Sequence, residues 1–109
     1  TSSLGQLIEL YRTYALFDSA AIFAEQLVEI SPTLMHNAKA GDVYYEAFSL
    51  ALRPEKMKVL GEKSRFYFQK VLDEDPARLD VKTKMGMTYI STDNPMAGIM
   101  MLREVLTEN

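Results

Sequence analysis

Cysteine is missing from this chain. That excludes disulfides, thiolate metal sites and a cysteine nucleophile. Histidine occurs once, as His36, so the imidazole pairs and triads of most metal and acid–base sites cannot be built. The four prolines and five glycines are few for a β-rich or disordered chain. No block of Lys or Arg is present and the net charge is −3, which argues against nucleic acid or an anionic membrane as the main partner. No apolar run approaches the roughly 18 residues of a membrane span, so no membrane insertion is expected of this segment. The chain opens on Thr1 with no signal peptide in view and reads as part of a longer protein.

What remains is a single small domain's worth of helix-patterned sequence, 109 residues with 48% hydrophobic content. Leu4, Leu7, Ile8 and Tyr11 follow helical spacing, as do Ile99, Leu102, Val105 and Leu106. Ile22, Phe23, Leu27 and Ile30 come close to it, and no stretch alternates with period two. Asp18-Ser19 offers an N-cap, and Ser31-Pro32, Asp75-Pro76 and Asn94-Pro95 each read as an acceptor residue before a proline at a helix start. Pro54 interrupts the longest apolar segment. The spacing predicts helices over about 3–16, 18–30, 33–52, 54–73, 77–91 and 95–108. With links this short, three antiparallel hairpins are expected.

The hairpins repeat one another. "LGQLIELYRTY", "AKAGDVYYEAF" and "KTKMGMTYIST" carry the pairs Ile8/Tyr11, Gly41/Tyr44 and Gly86/Tyr89, and each is followed by a second helix. Matching positions are Leu4, Leu7, Ile8, Tyr11, Ala20, Leu27 and Pro32 in the first unit. In the second they are Ala40, Gly41, Tyr44, Ser64, Phe68, Val71 and Pro76. In the third they are Lys82, Met85, Gly86, Tyr89, Gly98, Leu102 and Val105.

This pattern resembles the tetratricopeptide repeat family, a helix–turn–helix repeat of roughly 34 residues. Leu4 and Lys82 stand where the family has Trp, and Ile8 stands where it has Gly. The resemblance implies an all-α fold, three helix hairpins stacked as a right-handed superhelix, with repeats at about 1–32, 33–76 and 77–109. Gly41 and Gly86 are expected to let the first helix of a hairpin approach its partner, opposite Ala20, Ser64 and Gly98. Mid-helix glycine costs roughly 1 kcal/mol against alanine, which close packing would offset. Gly41 to Ser64 spans 23 residues where the other units use 12. The extra residues amount to about three helical turns. They predict a lengthened middle hairpin tipped by Leu52, Arg53, Pro54 and Glu55.

The resemblance also implies a function: a non-enzymatic scaffold binding a peptide or protein surface in a groove lined by the first helix of each repeat. The groove positions are Ser2, Gly5, Gln6, Glu9, Arg12 and Thr13, then Met35, Ala38, Lys39, Asp42, Tyr45 and Glu46, then Asp80, Thr83, Lys84, Met87, Ile90 and Ser91. Of these, Glu9, Arg12, Lys39, Asp42, Tyr45, Glu46, Lys84, Met87 and Ile90 are the candidate contacts. One subfamily grips a C-terminal carboxylate with a Lys/Asn/Arg clamp; Gly5 and Glu9 occupy its first two positions here, so a chaperone tail is not the expected ligand.

Other constellations read as structure. His36 is a surface or partly buried histidine. The carboxylates of "LDEDPARLD" are helix-end charges, Gly41, Gly61 and Gly86 make no phosphate loop, and no serine has a base to activate it. No enzyme activity, cofactor or metal is expected. Five of the seven methionines fall at Met85, Met87, Met96, Met100 and Met101. Thioether copper binding would need them to converge, whereas packing needs only an apolar face. Met96, Ile99 and Met100 form a candidate end interface, awaiting either a next repeat or another copy of the chain. The alternative function is therefore a self-association module giving homo-oligomers. "DNPMAGIMMLREVL" further resembles repeat proteins anchored in bacterial envelopes, which would put the full-length protein in the periplasm; a cytoplasmic location is the other possibility.

Overall fold

The computed structural model describes residues 2–108. Thr1 and Asn109, the outer bounds of the first and third expected repeats, lie outside the described residues, as does the side chain of Ser2, the first expected groove position. Among the described residues the chain is all-α, with six helices and no strand: α1 (Ser2–Thr13), α2 (Phe17–Ile30), α3 (Leu34–Leu50), α4 (Pro54–Glu74), α5 (Leu79–Ile90) and α6 (Pro95–Glu108). None of them is long and apolar enough to cross a membrane.

The breaks differ from those expected, for local reasons. α1 stops at Thr13 because Ala15 takes a left-handed backbone, φ 58°. Leu16 N–H donates to the Tyr11 carbonyl at 2.8 Å and Ala15 N–H to the Arg12 carbonyl at 3.0 Å, the paired bonds of a Schellman ending. α2 therefore begins at Phe17, and Asp18 is a first-turn charge rather than the cap. Ser31 and Asp75 do not cap the starts of α3 and α5. Their N–H groups cap the ends of α2 and α4, donating to the Leu27 and Val71 carbonyls, and the prolines that follow sit in the turns. The cap of α3 is Thr33, whose hydroxyl accepts from His36 N–H at 3.1 Å. α5 starts at Leu79 after a turn closed by Arg78 N–H on the Asp75 carbonyl. Pro54 and Pro95 each open their helix, where a missing N–H costs nothing.

Each helix packs on the next along the chain, and α3 also touches α5. Ile8, Ala20, Ala40, Val43 and Phe48 belong to one core cluster; Phe68, Val71, Val81 and Met85 form a second. Small residues set the closest approaches. A Cβ on Gly41 would stand 2.5 Å from the Phe68 ring, and Ser64 Oγ donates to the Gly41 carbonyl at 3.0 Å. A Cβ on Gly98 would stand 2.4 Å from the Gly86 carbonyl oxygen. Burying Ser64 costs little because its hydroxyl is satisfied on backbone. The middle pair is the long one: α3 and α4 run 17 and 21 residues, against 12 and 14 in the flanking pairs. Leu52, at its tip, is 95% exposed.

Candidate interaction face

α1, α3 and α5 carry a ladder of ion pairs. Arg12 donates two parallel bonds to Glu46, Nε to Oε1 at 2.9 Å and Nη2 to Oε2 at 2.8 Å. Its Nη1 reaches Glu9 Oε2 at 3.2 Å, and Lys39 Nζ reaches that same oxygen at 2.7 Å. Lys84 Nζ then bonds Asp42 Oδ1 at 2.7 Å and lies 5.9 Å from the centre of the Tyr45 ring. Three acids and three bases thus neutralise one another across three helices. The fork-on-carboxylate geometry of Arg12 and Glu46 is the strongest link, being charge-assisted, bidentate and partly shielded. The hydrogen bond to Glu46 raises Arg12 above its ordinary value. The hydrogen bond from Lys39 holds the Glu9 carboxyl below its own.

Of the nine candidate groove residues, Glu9, Arg12, Lys39 and Glu46 come together in one network, and Asp42, Tyr45 and Lys84 in a second beside it. Met87 is exposed on α5. Ile90 leans towards α6, with its Cγ1 3.1 Å from where a Gly98 Cβ would stand. Tyr45 stacks on Phe48 at 6.1 Å, which fixes its ring at the edge of the face. Beside the ladder a hollow of about 450 Å³ is lined by Gly5, Ile8, Glu9, Leu27, Met35, His36 and Lys39. His36 Nδ1 lies 2.7 Å from the Ser31 carbonyl and is held by it.

The side formed by α2 and α4 has its own links, which the sequence reading did not pick out. Lys56 pairs with Asp18, and Lys63 pairs with Glu25 at 2.8 Å. Tyr67 donates its hydroxyl to the same Glu25 oxygen at 3.2 Å. Burial alone would raise the Glu25 carboxyl, but hydrogen bonds from Lys63, Tyr44 and Tyr67 outweigh it and hold it low. Burial, then the facing Glu25, pushes the Tyr67 hydroxyl up to about 12 and raises Tyr44 too. A sequence signal existed: Asp18 and Glu25 are seven apart on one helix, Lys56 and Lys63 seven apart on another, the two-turn spacing that aligns charges along matching faces. Arg65 also crosses helices, donating to the Thr88 hydroxyl at 3.1 Å and lying over the Tyr89 ring at 4.5 Å.

At the far end, α6 packs chiefly on α5. Met96 and Met100 are exposed and Ile99 half-buried, and Leu106, two turns beyond Ile99, extends the stripe. Met85 is buried and Met101 packs on the second core cluster. The five methionines are thus spread over separate surfaces. Among the described residues no three His, Cys, Asp or Glu side chains group where a metal ion could sit.

No family model matches this chain, and no curated protein or solved structure matches it.

Proposed function

We propose that this chain is a non-enzymatic protein-interaction scaffold, a tetratricopeptide-like stack of three helix hairpins that receives a peptide or protein surface on the α1–α3–α5 face. The observation that carries the reading is the ladder itself. Lys39 reaches back to Glu9 and Lys84 reaches back to Asp42. Counted from Ile8, Gly41 and Gly86, both acids lie one residue on and both lysines two residues before. The same cross-helix bond therefore recurs in the same register, as stacked copies of one unit require. Support also comes from Ser64 on Gly41 and Gly98 on Gly86, small residues placed alike in two pairs.

A face whose charges are already paired attracts little net charge. Its ligand would be held by apolar and backbone contacts around Tyr45, Met87 and the hollow at Met35. A photo-crosslinking residue placed at Met87, with another at Gln26 on α2 as control, tests this in extract of the source cells. One partner captured at Met87, not at Gln26, and lost on Tyr45→Ala is expected. Equal capture at both sites, or capture indifferent to Tyr45→Ala, would refute it.

A second reading, self-association through the last helix, is favoured by one observation: the Met96, Ile99, Met100 and Leu106 stripe lies on the side of α6 that α5 leaves open.

A further inference from the structure

Among the glycines, Gly5 alone has no neighbour to account for it. A Cβ on Gly41, Gly61, Gly86 or Gly98 would meet another heavy atom within 3.3 Å, whereas one on Gly5 would stand in open space. Glycine inside a helix is destabilising relative to alanine, and at Gly5 no close approach offsets the loss. Gly5 lines the hollow of about 450 Å³ between α1 and α3.

The register of the repeats shows what is missing there. Three residues before Ile8 and Gly41 stand Gly5 and Ala38; five residues before Gly41 and Gly86 stand His36 and Val81. Seven residues after Ala20 and Ser64 stand Leu27 and Val71. Val71 and Val81 belong to the second core cluster, and Ala38 packs against it. Their counterparts one unit earlier are Leu27, His36 and Gly5, all lining the hollow. Leu27 is buried, but Gly5 has no side chain, and the His36 ring is drawn to the Ser31 carbonyl, 2.7 Å from Nδ1. The place that is filled between α3, α4 and α5 is open between α1, α2 and α3.

The lining selects the occupant. Its buried part is apolar, Ile8 being 0% and Leu27 5% exposed. Its two charged residues, Glu9 and Lys39, are bonded to each other at 2.7 Å and offer no net charge. Met35 is exposed beside them, and a thioether makes favourable contacts with aromatic rings. The Ser31 carbonyl can only accept, so His36 Nδ1 carries the hydrogen between them. In the neutral ring that leaves Nε2 as an acceptor. An apolar body with one N–H or O–H donor matches this set, which is the chemistry of a tryptophan or tyrosine side chain.

We infer that the hollow receives a tryptophan or tyrosine side chain of the partner, its ring on Ile8, Leu27 and Met35 and its donor hydrogen on His36 Nε2. This rests on the reading of the α1–α3–α5 face as the receiving surface and names the residue that anchors there. Gly5 is then the position that sets specificity, keeping the hollow open at a loss of helix stability.

The probes are N-acetyl-tryptophanamide and N-acetyl-tyrosinamide, with the phenylalanine and alanine amides as controls. Each is titrated into the chain with isotope-labelled Ile, Leu and Met methyl groups, read by NMR. The tryptophan and tyrosine probes are expected to shift the Ile8, Leu27 and Met35 methyls with Kd on the order of 1 mM. The phenylalanine probe, which has no donor, should bind about threefold more weakly, and the alanine probe should shift none of the three. Gly5→Leu fills the hollow from a position where a Cβ meets nothing. It should abolish these shifts with circular dichroism unchanged, and should lose the partner captured at Met87. No shift with any probe, or shifts that persist in Gly5→Leu, would overturn the inference. A phenylalanine probe as tight as the other two would overturn the bond to His36. Capture at Met87 indifferent to Gly5→Leu would overturn the anchor and leave the scaffold reading standing. Probe binding in the hollow without any capture at Met87 would count against the scaffold reading instead.

Discussion

Replacing Gly98 by alanine probes how α5 and α6 are held. The added Cβ would stand 2.4 Å from the Gly86 carbonyl oxygen, 3.0 Å from Tyr89 Cβ and 3.1 Å from Ile90 Cγ1. Carbon atoms pack at about 3.5–4.0 Å, so the two helices must part by roughly 1 Å along their contact. No rotamer change can move a backbone oxygen away. Overpacking of this kind costs about 1–3 kcal/mol, and a clash against backbone belongs at the upper end. Alanine returns about 1 kcal/mol of helix propensity. The net expectation is a loss of about 2 kcal/mol, or a fall in Tm of roughly 8 °C. Gly5→Ala adds the same methyl to α1, where nothing lies within 4 Å. There the propensity gain stands alone, about 0.5–1 kcal/mol of added stability. Urea unfolding followed by circular dichroism reads both as shifts in midpoint at constant slope. The two substitutions should move the midpoint in opposite directions. A Gly98→Ala protein as stable as the wild type would refute the close approach of the two backbones.

Ala15→Gly should raise stability by about 1 kcal/mol in the same urea assay, because φ 58° strains any residue with a Cβ; no gain would refute the Schellman ending of α1. Arg12→Ala should cost about 1–2 kcal/mol, and Arg12→Lys should recover less than half of that, since an ammonium cannot make both bonds to Glu46. The raised Tyr67 value makes the folded state hold its phenolic proton more tightly than the unfolded chain. That contribution is complete below the ordinary value of 10.0 and is lost as pH rises towards about 12. Tyr67→Phe should flatten the fall of thermal midpoint across that range, and an unchanged slope would refute the Tyr67–Glu25 contact. Glu9 works in the opposite sense. Its lowered value gives stability above the ordinary 4.5 that is lost as pH falls below it, so Glu9→Gln should flatten the acid limb of the same profile.

The helical class and the six elements were legible because apolar spacing near 3.6 recurs in nearly every segment and four of the five breaks carry a proline, Pro32, Pro54, Pro76 and Pro95. The small-residue contacts were legible too: a mid-helix Gly facing Ser64 or Gly98 has few uses besides close approach. The helix ends were less so. Ser31 and Asp75 before proline fit either a start or a stop, and only the bonds of their N–H groups to Leu27 and Val71 decide it. Ala15 was invisible, since alanine gives no hint of a left-handed residue. The candidate contacts could be assigned to one side of each first helix, but their mutual pairing could not. Arg12 finds Glu46 and Lys84 finds Asp42 across helices; only the packing of α3 between α1 and α5 decides which carboxylate each base meets.

That pairing separates the two surfaces by their physics. The ladder is made of charges whose attraction falls with salt, the screening length being about 10 Å at 0.1 M. Each rung is partly exposed and contributes modestly on its own; what the rungs set is register between α1, α3 and α5. The outer side of α6 instead holds Met96, Ile99, Met100 and Leu106. Burial of such groups is driven by water release and is not screened. Added salt should therefore loosen the alignment of α1, α3 and α5 while leaving any self-association through α6 intact. A self-association that vanishes in high salt would place the contact on the ladder instead, with Lys39 and Lys84 exchanging carboxylates between copies.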